Sequence, residues 1–187
     1  AIVMEPMRGE LPTGNFLNKV RNLANKIGAV LIFDEITIGF RINAGGAHLT
    51  LGTTPDVAVY GKAIGNGYPM SAVIGKEEIM EYAQESFISS TNWTEKIGPV
   101  AAITTIEKFR RENVHDALDK TGMEVRNILQ KSSNETGLSI NISGINPLLH
   151  FDFDYPDKQA IKTLFTKLML GKGFLATNAF YCTYAHN

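Results

Sequence analysis

Ala29-Val-Leu-Ile-Phe-Asp-Glu35 and Val57-Ala-Val-Tyr-Gly-Lys62 are two short apolar runs that each end in charge. Their apolarity is continuous rather than alternating, the pattern of a strand covered on both faces in a parallel sheet. Between Ile2-Val-Met4 and the first run, Phe16, Leu17, Val20, Leu23, Ala24 and Ile27 recur at helical spacing, and Gly28 supplies a stop. Strand, helix, strand is the unit that builds a parallel sheet. A third run, Ser71 to Ile74, follows Gly65-Asn-Gly-Tyr-Pro69 almost at once. That connection is too short for a helical crossover, so this strand is expected antiparallel to a neighbour.

Downstream, a short helix is expected near Glu77 to Ala83. A longer one opens at Pro99 with Val100, Ile103, Ile106 and Phe109, since proline suits a first helical turn. After Arg110-Arg-Glu-Asn113 a further helix carries Leu118, Val125 and Leu129 to the turn at Asn134-Glu-Thr-Gly137. Strands are then expected over 138–142, 148–153 and 173–176, with one helix through Ile161, Leu164, Phe165 and Leu168. The reading is an α/β chain: residues 1–112 in a large domain with a mostly parallel sheet and one antiparallel strand, and 113–187 in a smaller, partial α+β domain. Both ends run in apolar chain, Ala-Ile-Val-Met4 and Phe180-Tyr-Cys182, where natural domains usually begin and end in polar chain. A fragment of a larger protein is the expectation.

Composition excludes several partners. With 18 basic and 19 acidic residues and no block of like charge, the chain carries no electrostatic footprint for nucleic acid or membrane surfaces. No apolar run reaches the roughly 18 residues needed to span a bilayer. The single cysteine, Cys182, makes neither an internal disulfide nor a cysteine-rich metal site, which fits a reducing cytoplasm. His48, His115, His150 and His186 lack metal-ligand spacing.

Function in open α/β sheets gathers at the carboxyl ends of the strands, where Asp34 and Lys62 fall. A lysine amine condenses with an aldehyde cofactor to form a Schiff base, and once displaced it is free to act as a general base. A carboxylate keeps a pyridine nitrogen protonated, so that the ring withdraws electrons. A lysine and an aspartate so placed suit pyridoxal 5'-phosphate. Tyr60, Ala63 and Ile64 are expected to wall Lys62 with apolar surface, which would favour its neutral form.

Leu31-Ile-Phe-Asp-Glu-Ile-Thr-Ile-Gly-Phe-Arg41, Gly52-Thr-Thr-Pro-Asp56 and Gly61-Lys-Ala-Ile-Gly-Asn-Gly-Tyr-Pro69 together resemble the signature of class III aminotransferases of pyridoxal-phosphate fold type I, most of all glutamate-1-semialdehyde 2,1-aminomutases. The resemblance implies Lys62 as the Schiff-base lysine, Asp34 as the pyridine-nitrogen partner and Ile36 as the branched residue against the ring. It also implies a homodimer in which Thr94, counted back from Gly98-Pro99, binds the phosphate of the partner subunit's cofactor. Thr91 is a second candidate for that phosphate. Glu10 matches a glutamate that pairs with a substrate-handling arginine in some members. Two segments depart from the pattern: the usual triple-glycine turn is Gly65-Asn66-Gly67, and the phosphate segment reads Asn92-Trp-Thr-Glu-Lys-Ile-Gly-Pro99. The family's upstream phosphate loop and ring-stacking aromatic would precede Ala1. The implied activity is amino-group transfer on a small amino or carbonyl substrate, as an aminotransferase or an aminomutase.

Plainer readings stand beside these. A lysine after a strand is commonly a solvated charge, Asp34 can serve as a cap or turn residue, Ile36 is most simply core, and Thr94 can cap the next helix. Trp93 suits packing or a substrate entrance. Asp34-Glu35 after an apolar strand also fits a magnesium-holding nucleotide hydrolase, although Gly61-Lys-Ala-Ile-Gly-Asn-Gly67 supplies no phosphate loop of that type. A non-catalytic binding module retaining the fold is the other alternative.

Overall fold

A computed structural model describes residues 1–186. The chain divides into two compact units, residues 1–115 and the residues from 116 on. In the first, β1 (Ile2–Met4), α1 (Phe16–Ile27), β2 (Leu31–Asp34), α2 (His48–Leu51), β3 (Val57–Tyr60), β4 (Ala72–Gly75), α3 (Glu77–Met80) and α4 (Ile97–Arg111) follow in order. α5 (Val114–Thr136) begins at the end of this unit.

The sheet has the strand order β1-β2-β3-β4. β1, β2 and β3 run parallel, with Met4 opposite Phe33 and Asp34 opposite Val59, while β4 returns antiparallel to β3 with Ala72 opposite Tyr60. Gly28 ends α1 in the left-handed conformation, φ 66°, which glycine adopts without steric penalty. Its turn delivers Ala29 to a hydrogen bond with Ala24 and feeds the chain straight into β2. Leu31 and Phe33 are fully buried beneath Leu17 and Ala24 of α1. Ile32 on the opposite face is only half-buried, and Val73 and Ile74 of β4 are exposed. The coverage expected on both faces is thus complete only where α1 lies over Leu31 and Phe33 of β2.

In the second unit, β5 (Ile140–Ser143), β6 (Leu148–Phe153) and β7 (Ala179–Tyr181) form an antiparallel sheet in the order β5-β6-β7, with α6 (Lys158–Gly171) between β6 and β7. Phe165 of α6 packs edge-on against Phe151 at 5.5 Å. Gly122 of α5 lies so close to Asn146 that no side chain fits there, and Arg126 of the same helix donates to Asn146 and Gly144. The strand expected over 173–176 does not form. The amides of Gly173 and Phe174 bond back to Leu170 and Met169, closing the end of α6, so pairing with β6 starts only at Ala179.

Candidate functional site

The carboxyl ends of β2 and β3 lie side by side, tied by the Glu35 amide donating to the Val59 carbonyl at 2.9 Å. Asp34 is half-buried there. Its Oδ1 accepts the Ile36 amide at 2.9 Å, so the turn role is real, while Oδ2 has no hydrogen-bond partner among the described residues. A side chain at Gly61 would place its Cβ 3.3 Å from Ile36 Cγ2, so glycine lets the end of β3 pass close over Ile36. The next residue, Lys62, has φ 46°, a conformation uncommon outside glycine. A single turn of 3₁₀ helix, Lys62–Ile64, follows directly.

Lys62 Nζ donates to Thr37 Oγ1 at 2.9 Å. Asp34, Ile36 and Lys62 are therefore gathered at the carboxyl end of the sheet, and Thr37 joins them. The apolar wall expected around the lysine is absent. Tyr60 and Ile64 are buried, the Tyr60 ring packs on Phe40 with ring centroids 5.8 Å apart, and Lys62 itself is exposed.

Glu35 has a structural task that the sequence did not disclose. It is wholly buried, and its carboxylate accepts the Ala47 amide at 2.8 Å, the His48 amide at 3.0 Å and His48 Nδ1 at 2.8 Å. These bonds fold the glycine-rich loop 41–47 back onto the strand end. A carboxylate so occupied is not an open magnesium ligand, which removes the support for the nucleotide-hydrolase alternative. Among the described residues there is no group of three or more His, Cys, Asp or Glu that could hold a metal. Burial, and then the charge of Glu35, push the Tyr60 hydroxyl up to about 12, so it stays protonated at neutral pH. An acidic side chain inside an apolar stretch was the available signal for Glu35. Its partners were hidden because they lie beyond an irregular loop.

Thr91 and Thr94 lie in an exposed turn, and neither bonds to Asp34, Ile36 or Lys62. Thr94 is not the cap of the next helix. Glu95 Oε1 accepts the Lys96 and Ile97 amides, and α4 starts at Ile97, ahead of Pro99. A Cβ on Gly98 would stand 3.0 Å from the Pro69 carbonyl, so this glycine seats the start of α4 against the turn that follows Lys62. Beside it runs an open groove of about 410 Å³ lined by Gly65, Tyr68, Ile97, Val100 and Thr104 among others. Glu10 is exposed.

The chain is 38% identical over 159 residues to the 3-aminobutyryl-CoA aminotransferase of Cloacimonas acidaminovorans, covering 84% of this chain and 38% of that protein. It is 35% identical to the glutamate-1-semialdehyde 2,1-aminomutase of Natranaerobius thermophilus, covering 81% and 37% respectively. Among solved structures, the FumI protein of Sphingopyxis sp. MTA144, in its PLP internal aldimine form, matches with TM-score 0.91 and 26% identity over 99% of this chain and 47% of that one. An omega-transaminase from Sphaerobacter thermophilus matches with TM-score 0.84 and 25% identity over 98% and 47%. The chain thus spans less than half the length of these relatives. The family model for aminotransferase class III matches residues 1–180, and the chain belongs to that family.

Proposed function

We propose that this chain carries the lysine-bearing part of a pyridoxal-phosphate site that transfers amino groups on a small amino or carbonyl substrate. The observation that carries the reading is the meeting of Asp34, Ile36 and Lys62 at the carboxyl ends of adjacent parallel strands. The residues present fit the cofactor: Asp34 keeps one carboxylate oxygen without a partner, Gly61 leaves Ile36 uncovered by any side chain of its own, and Lys62 presents an exposed amine.

Pyridoxal phosphate, when bound, supplies an aldehyde that captures amines and a ring that withdraws electrons from the carbon losing a proton. In this reading Lys62 Nζ attaches covalently and, when released as a neutral amine, takes a proton from the substrate carbon and returns it to a neighbouring atom. Asp34 Oδ2 holds the proton on the ring nitrogen. Ile36 offers an apolar side chain to the ring. The same work by Lys62 serves an aminotransferase, which hands the nitrogen to a second substrate, and an aminomutase, which returns it to another carbon of the first.

Thr94, with Thr91 as the alternative, is proposed to bind the cofactor phosphate of a second copy in a homodimer. Exposed Trp93, Ile97, Val100 and Ile103 around that segment support an apolar interface there. A cytoplasmic setting belongs to the same proposal, supported by a lone, buried Cys182. No helix among the described residues is long and apolar enough to cross a membrane.

The test is to load the intact protein with pyridoxal phosphate, follow the visible absorbance, trap with borohydride and map the labelled peptide. Label on Lys62 is the expected result. No visible band, or label on another lysine, would overturn the reading.

A further inference from the structure

Thr37 is the one hydroxyl in a stretch of otherwise apolar side chains, Ile36 to Phe40, and it is buried. Its backbone is fixed on both sides. The Gly39 amide donates to the Glu35 carbonyl at 2.7 Å, and Arg41 Nε donates to the Thr37 carbonyl at 3.0 Å. A Cβ at Gly39 would come within 2.7 Å of that same Glu35 carbonyl and 2.9 Å of the Tyr60 ring, so the turn is as tight as glycine allows. Glu35, anchored to Ala47 and His48, closes the far side of the loop. Onto this fixed point Lys62 places its amine, 2.9 Å from Thr37 Oγ1.

Resting on the reading of Lys62 as the cofactor lysine, we propose that Thr37 is a positioning residue that docks the Lys62 amine whenever it is not covalently engaged. A hydroxyl suits this task because it both donates and accepts. It accepts from the ammonium form and can donate to the lone pair of the neutral form, so the amine keeps one location through a change of protonation. A carboxylate there would favour the charged form. An apolar side chain would leave a flexible four-carbon stem free to swing. The charged and titratable groups around the pair are Asp34 at the end of β2, Glu35 just beyond it, Tyr60 from β3 and Arg41 from the following loop.

Docking matters at two moments. On attachment, the neutral amine adds to the aldehyde carbon, a C–N bond forms, and the aldehyde oxygen leaves as water with both amine hydrogens. On exchange with an amino substrate, the substrate nitrogen takes over that carbon while Lys62 Nζ regains two hydrogens from the substrate amine. At both moments Thr37 would hold the free amine in one place.

The experiment measures the rate of pyridoxal phosphate attachment to the intact, cofactor-free protein by absorbance across about pH 6 to 10, spanning the range in which a lysine amine gains reactivity. Thr37→Val keeps the shape and removes the hydroxyl. Its plateau rate is expected to fall about fivefold through lost positioning. Thr37→Ser, which keeps the hydroxyl and loses the methyl, is expected to restore that rate. Thr37→Ala repeats the hydroxyl loss should Thr37→Val not fold. A Thr37→Val profile that overlays the unaltered protein, or a Thr37→Ser profile as impaired as Thr37→Val, overturns the proposal. If the unaltered protein attaches no cofactor at Lys62, it is the proposed function itself that fails, a result distinct from either of these.

Discussion

β3 has a charged residue just beyond each end, and the two are treated in opposite ways. Asp56, at the amino end, is buried and saturated. It accepts Arg21 and the Leu31 amide on Oδ2 at 2.8 Å and 2.7 Å, and Lys76 stands 2.8 Å from Oδ1. Lys62, beyond the carboxyl end, is exposed, bonds to a hydroxyl, and has no carboxylate within ion-pair distance among the described residues. One charge ties α1, β2 and the residue that follows β4 to the strand. The other is left without a counter-charge. A single four-residue strand thus separates a stabilising end from the end where the proposed chemistry sits, in line with the placement of function at the carboxyl ends of parallel strands.

The sharpest way to break the comparison is to remove each charge and ask what is lost. Lys62→Met should abolish covalent capture and lower amino-group transfer by about 10⁴-fold, at the upper end of what a general base supplies. Folding stability should change by no more than about 0.5 kcal/mol, because an exposed side chain with one hydrogen bond contributes little. Borohydride trapping and a thermal melt check the two halves. A large fall in melting temperature would mean that the lysine end is structural after all.

Asp56→Asn should do the reverse, costing on the order of 3 kcal/mol because it leaves Arg21 without its buried counter-charge. Acid sharpens this. Burial works to raise the Asp56 carboxyl, but hydrogen bonds from Leu31, Lys76 and Arg21 and the charge of Arg21 outweigh it, and the group is lowered from 3.8 to about 2. A carboxyl lowered on folding contributes stability that is fully present above its unfolded value and is lost as pH falls through its folded value. The stability difference between the unaltered protein and Asp56→Asn should therefore be constant at neutral pH and shrink from about pH 4 down to about pH 2. Urea denaturation at several pH values measures it. A difference that does not shrink would show that the Asp56 charge is not what holds this end.

The strands of the first unit and their directions were legible in the sequence because each depends on neighbours only a few residues away, and the same local pattern put Asp34 and Lys62 at strand carboxyl ends. Apolar runs mark β2 and β3, Gly28 marks the end of α1, and the short turn after Lys62 requires an antiparallel β4. What escaped notice depends on the chain returning from a distance or on competition for amides. Thr37 became a partner of Lys62 only once β3 was laid beside β2. Glu35 found its donors across a loop that includes Phe40 at φ 58°. At the start of α4, the longer side chain of Glu95 reached the free amides that the plainer reading of Thr94 would have had it cap. At the end of α6, carbonyls took the amides that a strand at 173 would have needed.

Thr94 brings the same contrast down to a single hydroxyl. Thr37 Oγ1 sits on a locked, buried backbone with the Lys62 amine in place, whereas Thr94 is exposed and has no hydrogen bond among the described residues. If Thr94 serves the phosphate of a second copy's cofactor, its worth lies in binding rather than in folding. Thr94→Val should then leave stability within about 0.5 kcal/mol. It should weaken pyridoxal phosphate by about tenfold, the equivalent of roughly 1.4 kcal/mol, while pyridoxal, which lacks the phosphate, is bound as before. Thr91→Val separates the two candidates, since only the residue that meets the phosphate should discriminate between the two ligands. Equal weakening of both ligands by Thr94→Val would point to packing near the site, and no weakening of either would remove Thr94 from it.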